Sequence, residues 1–190
     1  MRLFLKLHRA LPLLLGLIGL ASIAPMLRAL AIRIDAPTPT LPEIVVLPTL
    51  MASLVGEALS TPMVELEGSA PRGQRILVLS YGLAVAALSA VALSIVFGTD
   101  EGYGWPSVAR SIIGQSGAAL GSAALLGGAR AFVLPMAIGV GVATAAGVLG
   151  TGGMGAWMLA GDGDVVAWVI AVSLLLIGSL LVWFRSPIPR

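Results

Sequence analysis

Residues 165–184 read VVAWVIAVSLLLIGSLLVWF, an unbroken apolar run without a charged side chain. At about 1.5 Å per residue, a helix of this length reaches about 30 Å, which matches the hydrocarbon core of a bilayer. Apolar side chains occupy every face of such a helix, whereas a surface helix of a soluble domain keeps one polar face. The run therefore predicts a transmembrane helix.

Five further apolar runs precede it, and together they predict six transmembrane helices. Their bounds are 11–27, 41–59, 76–97, 107–126 and 131–150. The first run follows Arg2, Lys6 and Arg9, so it also fits a secretory signal. We expect an uncleaved anchor because Pro25 would follow the cleavage bond. The predicted fold is all-α, a polytopic membrane helical bundle that forms a single transmembrane domain over residues 1–190.

The composition favours lipid as the solvent for most of the surface. Of the 190 residues, 58% are hydrophobic and 11% are charged, with a mean hydropathy of +1.02. Soluble proteins usually carry about 25% charged residues. The net charge is only +2 and the basic residues lie between the spans, so we expect no nucleic-acid partner. The sequence has no cysteine, which excludes disulfides and thiolate metal sites.

The basic residues set the predicted orientation, because cytoplasmic loops of membrane proteins are enriched in Lys and Arg. With the N-terminus in the cytoplasm, eight basic residues fall inside, and three fall outside or near the outer boundary. The inner ones are Arg2, Lys6, Arg9, Arg72, Arg75, Arg130, Arg185 and Arg190. Six spans then leave both termini in the cytoplasm, and we expect a multi-pass protein of the cell membrane.

Small residues in spans four and five predict close helix packing, since helices in lipid associate through backbone approach and interhelical hydrogen bonds. The residues concerned are Gly114, Gly117 and Gly121 in span four and Gly139, Ala143 and Gly147 in span five. The same residues also fit a sliding or dimerising face in a transporter. Pro48 and Pro135 lie within spans two and five, where we expect kinks.

Few titratable side chains fall at membrane depth. Glu43, Glu57 and Arg110 lie about one turn from the ends of their spans, and we expect their charged ends to extend to the interface. Gln115 lies deeper. It would either form an interhelical hydrogen bond or contact a substrate.

These polar residues do not form a recognisable catalytic centre. The only histidine, His8, lies in the cytoplasmic head, so serine catalysis has no base. The sequence contains neither a zinc-binding motif nor a phosphate-binding glycine-lysine loop. Asp162 and Asp164 belong to a glycine-rich outer turn, which fits a solvated loop or a weak cation site. We therefore expect no enzyme activity and no cofactor.

The inner connection between spans two and three, residues 60–75, predicts a short helix. Thr61 can cap it, Pro62 fits its first turn, and Gly68 ends it. The predicted helix consists of Thr61, Pro62, Met63, Val64, Glu65, Leu66 and Glu67. A helix of under two turns is unstable alone, so we expect it to pack against the bundle or a partner.

Six spans with cytoplasmic termini, this short inner helix and the apolar outer segment Met154–Leu159 resemble an ABC-2-type transporter permease. The resemblance implies that residues 61–67 form a coupling helix that docks on a separate ATP-binding subunit. It also implies that residues 154–159 form a re-entrant element and that permease subunits pair as a homo- or heterodimer.

On this interpretation the chain is the membrane-spanning subunit of an ATP-driven transporter, which exports a substrate that the sequence does not identify. Two alternatives stay open. One is a non-transporting accessory or immunity protein that binds another membrane complex. The other is a stand-alone carrier or channel.

Overall fold

The computed structural model describes residues 15–16, 18–19, 22–23, 45–58, 72–97, 104–149 and 154–184. The α-helices in this part of the chain are α1 (Leu47–Ala58), α2 (Arg72–Phe97), α3 (Trp105–Leu126), α4 (Val133–Leu149) and α5 (Val165–Phe184). Two 3-10 helices, η1 (Gly128–Arg130) and η2 (Met154–Leu159), lie in the connections. The described residues contain no strand, so the all-α prediction is confirmed for them.

Four predicted spans correspond to helices with similar bounds. The limits of α5 are those predicted, α3 begins two residues before 107, and α4 lies within 131–150. Helix α2 begins at Arg72 rather than residue 76, since Arg and Gln are good helix formers and extend the helix beyond the apolar run. The described residues of the first span are helical. The predicted inner helix, 61–67, lies outside the described residues, as does Glu43.

Helix α1 covers part of the predicted span 41–59, of which residues 41–44 and 59 lie outside the described residues. Its 12 residues reach about 18 Å, against about 30 Å for a hydrocarbon core. Two described segments are long and apolar enough to cross a membrane, residues 128–145 and Val165–Phe184. The number of six crossings therefore stays a prediction.

Both prolines for which kinks are predicted lie at the beginning of their helices. Pro48 is the second residue of α1, directly after a π-type turn at 45–46. Pro135 is the third residue of α4. The first turn of a helix has no intrahelical acceptor for its N–H groups, so proline costs no hydrogen bond there. The kink predicted within α4 is wrong for this reason, and at α1 the irregularity is a change of helix type.

Helix α3 is the centre of the bundle and packs against α1, α2, α4 and α5. A hydrogen bond from the Gly104 amide to Asp162 places the beginning of α3 beside the turn that begins α5. At the opposite end, Gly56 of α1 lies against Ala131, which follows α3 and η1. We call these the loop-160 end and the Ala131 end of the bundle. Helices α3 and α5 therefore run in the same direction, as the predicted order of inner and outer loops requires.

The bundle has an apolar core, an apolar surface and a small set of buried polar side chains. Arg110, Gln115 and several serines are completely buried on α3. Large apolar side chains cover the outside instead, with Leu176 of α5 58% exposed and Ile95 of α2 77% exposed. On α5 the other exposed apolar residues are Val165, Val166, Val169, Val172, Ile177, Leu180, Trp183 and Phe184.

Glycine allows α3 and α5 to touch through their backbones. A methyl group on Gly178 would overlap the carbonyl group of Gly117, and one on Gly117 would overlap the backbone of Leu174 and Leu175. Gly139 of α4 packs on the Thr49 side chain of α1 in a similar way, with only 2.9 Å between the Thr49 hydroxyl oxygen and a Cβ built on the glycine. The predicted close packing is confirmed at Gly117 and Gly139.

Candidate functional site

The two residues predicted to make polar contacts inside the membrane, Arg110 and Gln115, both lie on α3 and have no exposed surface. Ser107, Ser111 and Gln115 follow one another at intervals of four residues, so they lie on one face of the helix. All three are buried. This face, with Arg110 at its edge, is the polar face of α3.

Arg110 hydrogen-bonds to backbone carbonyl groups at the end of η2. Its Nη1 donates to the oxygen of Gly161 at 2.9 Å, and its Nη2 donates to the oxygen of Ala160. Carbonyl groups that follow a helix lack intrahelical partners and attract cations. The guanidinium is directed toward the loop-160 end, where it holds residues 160–161 against α3, and its location at the membrane interface stays a prediction.

Asp162 caps the beginning of α3 from a distant part of the chain. Its carboxylate accepts hydrogen bonds from the amides of Gly104 (3.2 Å) and Ser107 (3.3 Å) and from the Ser107 hydroxyl (2.5 Å). Gly104 has no side chain with which to cap the helix itself. The carboxylate also lies at the positive end of the α3 dipole, which favours a negative charge.

Asp164 caps α5 by accepting a hydrogen bond from the Ala167 amide at 3.1 Å. The turn that holds Asp162 is bonded to α5 as well, since the Trp168 indole donates to the Asp162 carbonyl oxygen at 3.2 Å. The prediction of a solvated loop is thus wrong for Asp162. The cation-site alternative receives no support, because the described residues contain no group of three His, Cys, Asp or Glu that could hold a metal.

The apolar outer segment Met154–Leu159 forms η2, and the side chains of its second half pack inside the bundle. Trp157 lies directly on Gly114, where a methyl group would overlap the indole ring. Met158 is completely buried, and its sulfur accepts a hydrogen bond from the Gln115 amide at 3.1 Å. The segment for which the resemblance implies a re-entrant element therefore covers the polar face of α3.

Three buried polar atoms on α3 have no hydrogen-bond partner among the described residues: Ser111 Oγ, Gln115 Oε1 and Ser116 Oγ. Ser111 and Gln115 share the polar face. Ser116 lies on another side of the helix, since Ile112 and Leu120, four residues before and after it, belong to a cluster with α1 and α2. A buried unpaired polar group costs about 1–3 kcal/mol, so such atoms mark places that a hydrogen-bonding molecule would stabilise.

The side chains of this face offer hydrogen-bond donors and acceptors. Serine hydroxyls and a carboxamide are neutral, and Arg110 stays protonated in proteins. Sequence reasoning identified Arg110 and Gln115 but did not assign a polar contact to Ser111. The four-residue spacing of Ser107, Ser111 and Gln115 was the available signal. Nothing in the sequence near Asp162 indicates that it pairs with the beginning of α3.

Comparison of the sequence and the structure with protein-family models, curated proteins and solved structures gives no match. The resemblance to ABC-2-type permeases therefore stays a prediction from the sequence pattern.

Proposed function

We propose that the chain is a multi-pass membrane protein of the cell membrane, which crosses the bilayer six times and has both termini in the cytoplasm. The observation that carries this proposal is the large exposed apolar surface of the bundle, together with the polar side chains buried on α3. Water would solvate Arg110 and Gln115 and exclude the valines and leucines of α5, whereas lipid has the opposite preference. Lipid is therefore the first partner of this chain.

The positions of charged residues support the orientation with both termini in the cytoplasm, and the positions of aromatic residues fit the two boundaries of a membrane. Asp162 and Asp164 lie at the loop-160 end, and exposed Arg130 lies at the Ala131 end. Basic residues favour the cytoplasmic side, so the loop-160 end faces outward. Exposed Trp105 lies near the outer end, while exposed Phe132, Trp183 and Phe184 lie near the inner one. Aromatic side chains are enriched at both boundaries of a membrane.

Within the membrane the chain acts as the permease-like subunit of an ATP-driven exporter. A buried polar face on the central helix supports a transport role, because it offers hydrogen bonds to a molecule inside the bundle. Arg110 cannot release a proton at ordinary pH, so it is unsuited to proton coupling. Energy would then come from a separate ATP-binding subunit, docked on the helix predicted at residues 61–67. Two such permease subunits would pair, and substrate would pass through their interface.

The second candidate is a non-transporting accessory or immunity protein. The backbone contact of Gly117 with Gly178 favours it, because α3 and α5 interlock and would move only as one unit. A rigid bundle of this kind suits a protein that binds another membrane complex.

The ATP-binding partner can be tested by photocrosslinking. A photoreactive amino acid at position 66 should crosslink to a nucleotide-binding protein without membrane spans, identified by mass spectrometry. Replacement of residues 61–67 by a Gly-Ser linker should abolish copurification of that protein but leave membrane insertion unchanged. The matched control is the same photoreactive residue at position 163, on the opposite side. Copurification that survives the linker replacement, or a crosslink at position 66 to a different membrane protein alone, would favour the accessory role.

A further inference from the structure

The polar face of α3 contains a hydrogen-bonding site at the centre of the bundle. Gln115 is close to the midpoint of α3, about 15 Å along the helix from Trp105. Ser111 is one turn nearer the loop-160 end. In both side chains a buried oxygen has no partner among the described residues. Two such oxygens one turn apart can contact the same small molecule.

We propose that Ser111 and Gln115 bind a small neutral molecule, or the end of a larger one, that carries a hydroxyl or carboxamide group. This proposal rests on the proposed membrane location and names the substrate class of the transport role. Many transporters bind substrate near the midplane of the bilayer, at the depth where Gln115 lies.

The chemistry of the two side chains defines the ligand. Gln115 Oε1 can only accept a hydrogen bond, whereas the Ser111 hydroxyl can donate as well as accept. A hydroxyl or carboxamide group can both donate and accept, so it satisfies both residues. Carbon–hydrogen groups would leave the two oxygens unpaired.

The surroundings of the site favour a neutral ligand over a charged one. The guanidinium of Arg110 lies in the adjacent turn and repels a cation. An anion would find one donor at the site, the Ser111 hydroxyl, because Nη1 and Nη2 of Arg110 donate to Gly161 and Ala160, and Gln115 Nε2 donates to Met158. The interior around Trp157, Met158 and Leu159 is apolar, which makes burial of any charge costly.

Helix η2, which covers the site, also determines how a ligand reaches it. Met158 contacts the same carboxamide that offers the free oxygen, and Trp157 lies over Gly114 between the two polar residues. A ligand from the outer side would reach the site only when η2 moves. The carbonyl bonds of Arg110 and the capping bonds of Asp162 hold η2 closed.

Cysteine protection tests the site in the full chain, which has no cysteine of its own. The reporter variant is Ser111→Cys in lipid nanodiscs, treated with neutral methyl methanethiosulfonate. Its control is Ala119→Cys, completely buried two turns further along the same side of α3. We expect Ser111→Cys to react at least about tenfold faster, because a site that admits a polar ligand also admits the reagent, whereas a thiol in the apolar surroundings of Ala119 stays protonated and inert. Equal rates for the two variants would overturn the proposal.

Ligand class is tested with acetamide and glycerol as neutral probes and with sodium acetate and methylammonium chloride as charged probes. Acetamide or glycerol should slow modification of Ser111→Cys. The charged probes should not, and the protection should disappear in the double variant Ser111→Cys/Gln115→Leu. Modification without protection, or equal protection by charged probes, would overturn the assignment. Gly163→Cys, on the exposed turn, corrects for effects of the probes on the reagent.

The same samples separate failure of the site from failure of the membrane assignment. If Ser111→Cys is inert while the protein resists alkaline extraction from membranes, only the ligand site is wrong. If the protein stays soluble without detergent, the membrane assignment is wrong as well.

Discussion

Gly117 of α3 and Gly178 of α5 meet backbone to backbone, with so little space that a methyl group on Gly178 would lie 2.9 Å from the carbonyl carbon of Gly117. Because the obstacle is backbone, it cannot turn aside as a side chain would. Helices in lipid gain stability from such close approach, since no hydrophobic effect drives them together there.

Gly178→Ala should therefore destabilise the bundle. Overpacking of a tight interior costs about 1–3 kcal/mol, and we expect a lower midpoint of thermal unfolding in detergent. Gly121→Ala is the matched control on α3, because its added methyl would meet the nearest atom at 3.7 Å, an ordinary contact. An unchanged midpoint for Gly178→Ala would contradict the backbone contact.

Asp162→Ala should weaken the attachment of the outer turn to α3. The carboxylate accepts three hydrogen bonds from residues 104 and 107, and loss of a helix cap costs about 1 kcal/mol. Asp162→Asn should lose less stability, since the oxygen of its side-chain amide still accepts hydrogen bonds. The midpoint of thermal unfolding is compared between these two variants and the control Gly163→Ala. Position 163 is exposed, and no atom lies within 4 Å of the added methyl group. Equal stability of all three would show that Asp162 does not cap the helix.

Arg110→Leu should release residues 160–161 from the bundle. The substitution removes the guanidinium from the carbonyl oxygens of Ala160 and Gly161, which keep only the Ser107 hydroxyl (3.4 Å) and the Asp164 amide (3.1 Å) as donors. A hydrogen bond to a charged group contributes about 1.5–3 kcal/mol. The readout is faster maleimide labelling of Ala160→Cys in the Arg110→Leu background. Arg130→Leu, which changes an exposed arginine at the other end, should leave labelling unchanged. Labelling that responds equally to both substitutions would argue against a specific role of Arg110.

Single cysteines should report the orientation of the chain. In intact cells a membrane-impermeant maleimide should label Gly163→Cys, because the turn after η2 faces outward. Gly68→Cys should be labelled only after the membrane is permeabilised. Labelling of Gly68→Cys from outside would reverse the proposed topology.

The sequence predicted the positions of the helices well, but it did not predict which distant groups hydrogen-bond to them. The bounds of α5 and α3 follow from where apolar runs begin and end, which is a local property. The role of Asp162 depends on amides 55 and 58 residues away, and no local pattern encodes that pairing. Arg110 was assigned to the interface because a charge one turn from a helix end can usually reach water. Only the structure shows carbonyl groups placed to receive it.

The positions of the two prolines within their helices were predicted incorrectly for a related reason. A proline inside an apolar run suggests a kink, but the helix can also begin at the proline. Hydropathy does not distinguish the two, whereas α4 begins two residues before Pro135.

The proposed membrane location requires lipid to be the solvent of the apolar surface, and the variant Leu176→Asp tests this requirement directly. Leu176 is 58% exposed near the middle of α5. In water a surface substitution stays within about 0.5 kcal/mol, whereas an aspartate at the centre of a bilayer costs about 2.5–3.5 kcal/mol. The measurement is the fraction of protein that resists alkaline extraction from membranes, with Gly163→Asp as the control. We predict that Leu176→Asp loses most of this fraction and that Gly163→Asp keeps it. Equal fractions for the two variants would contradict the membrane assignment.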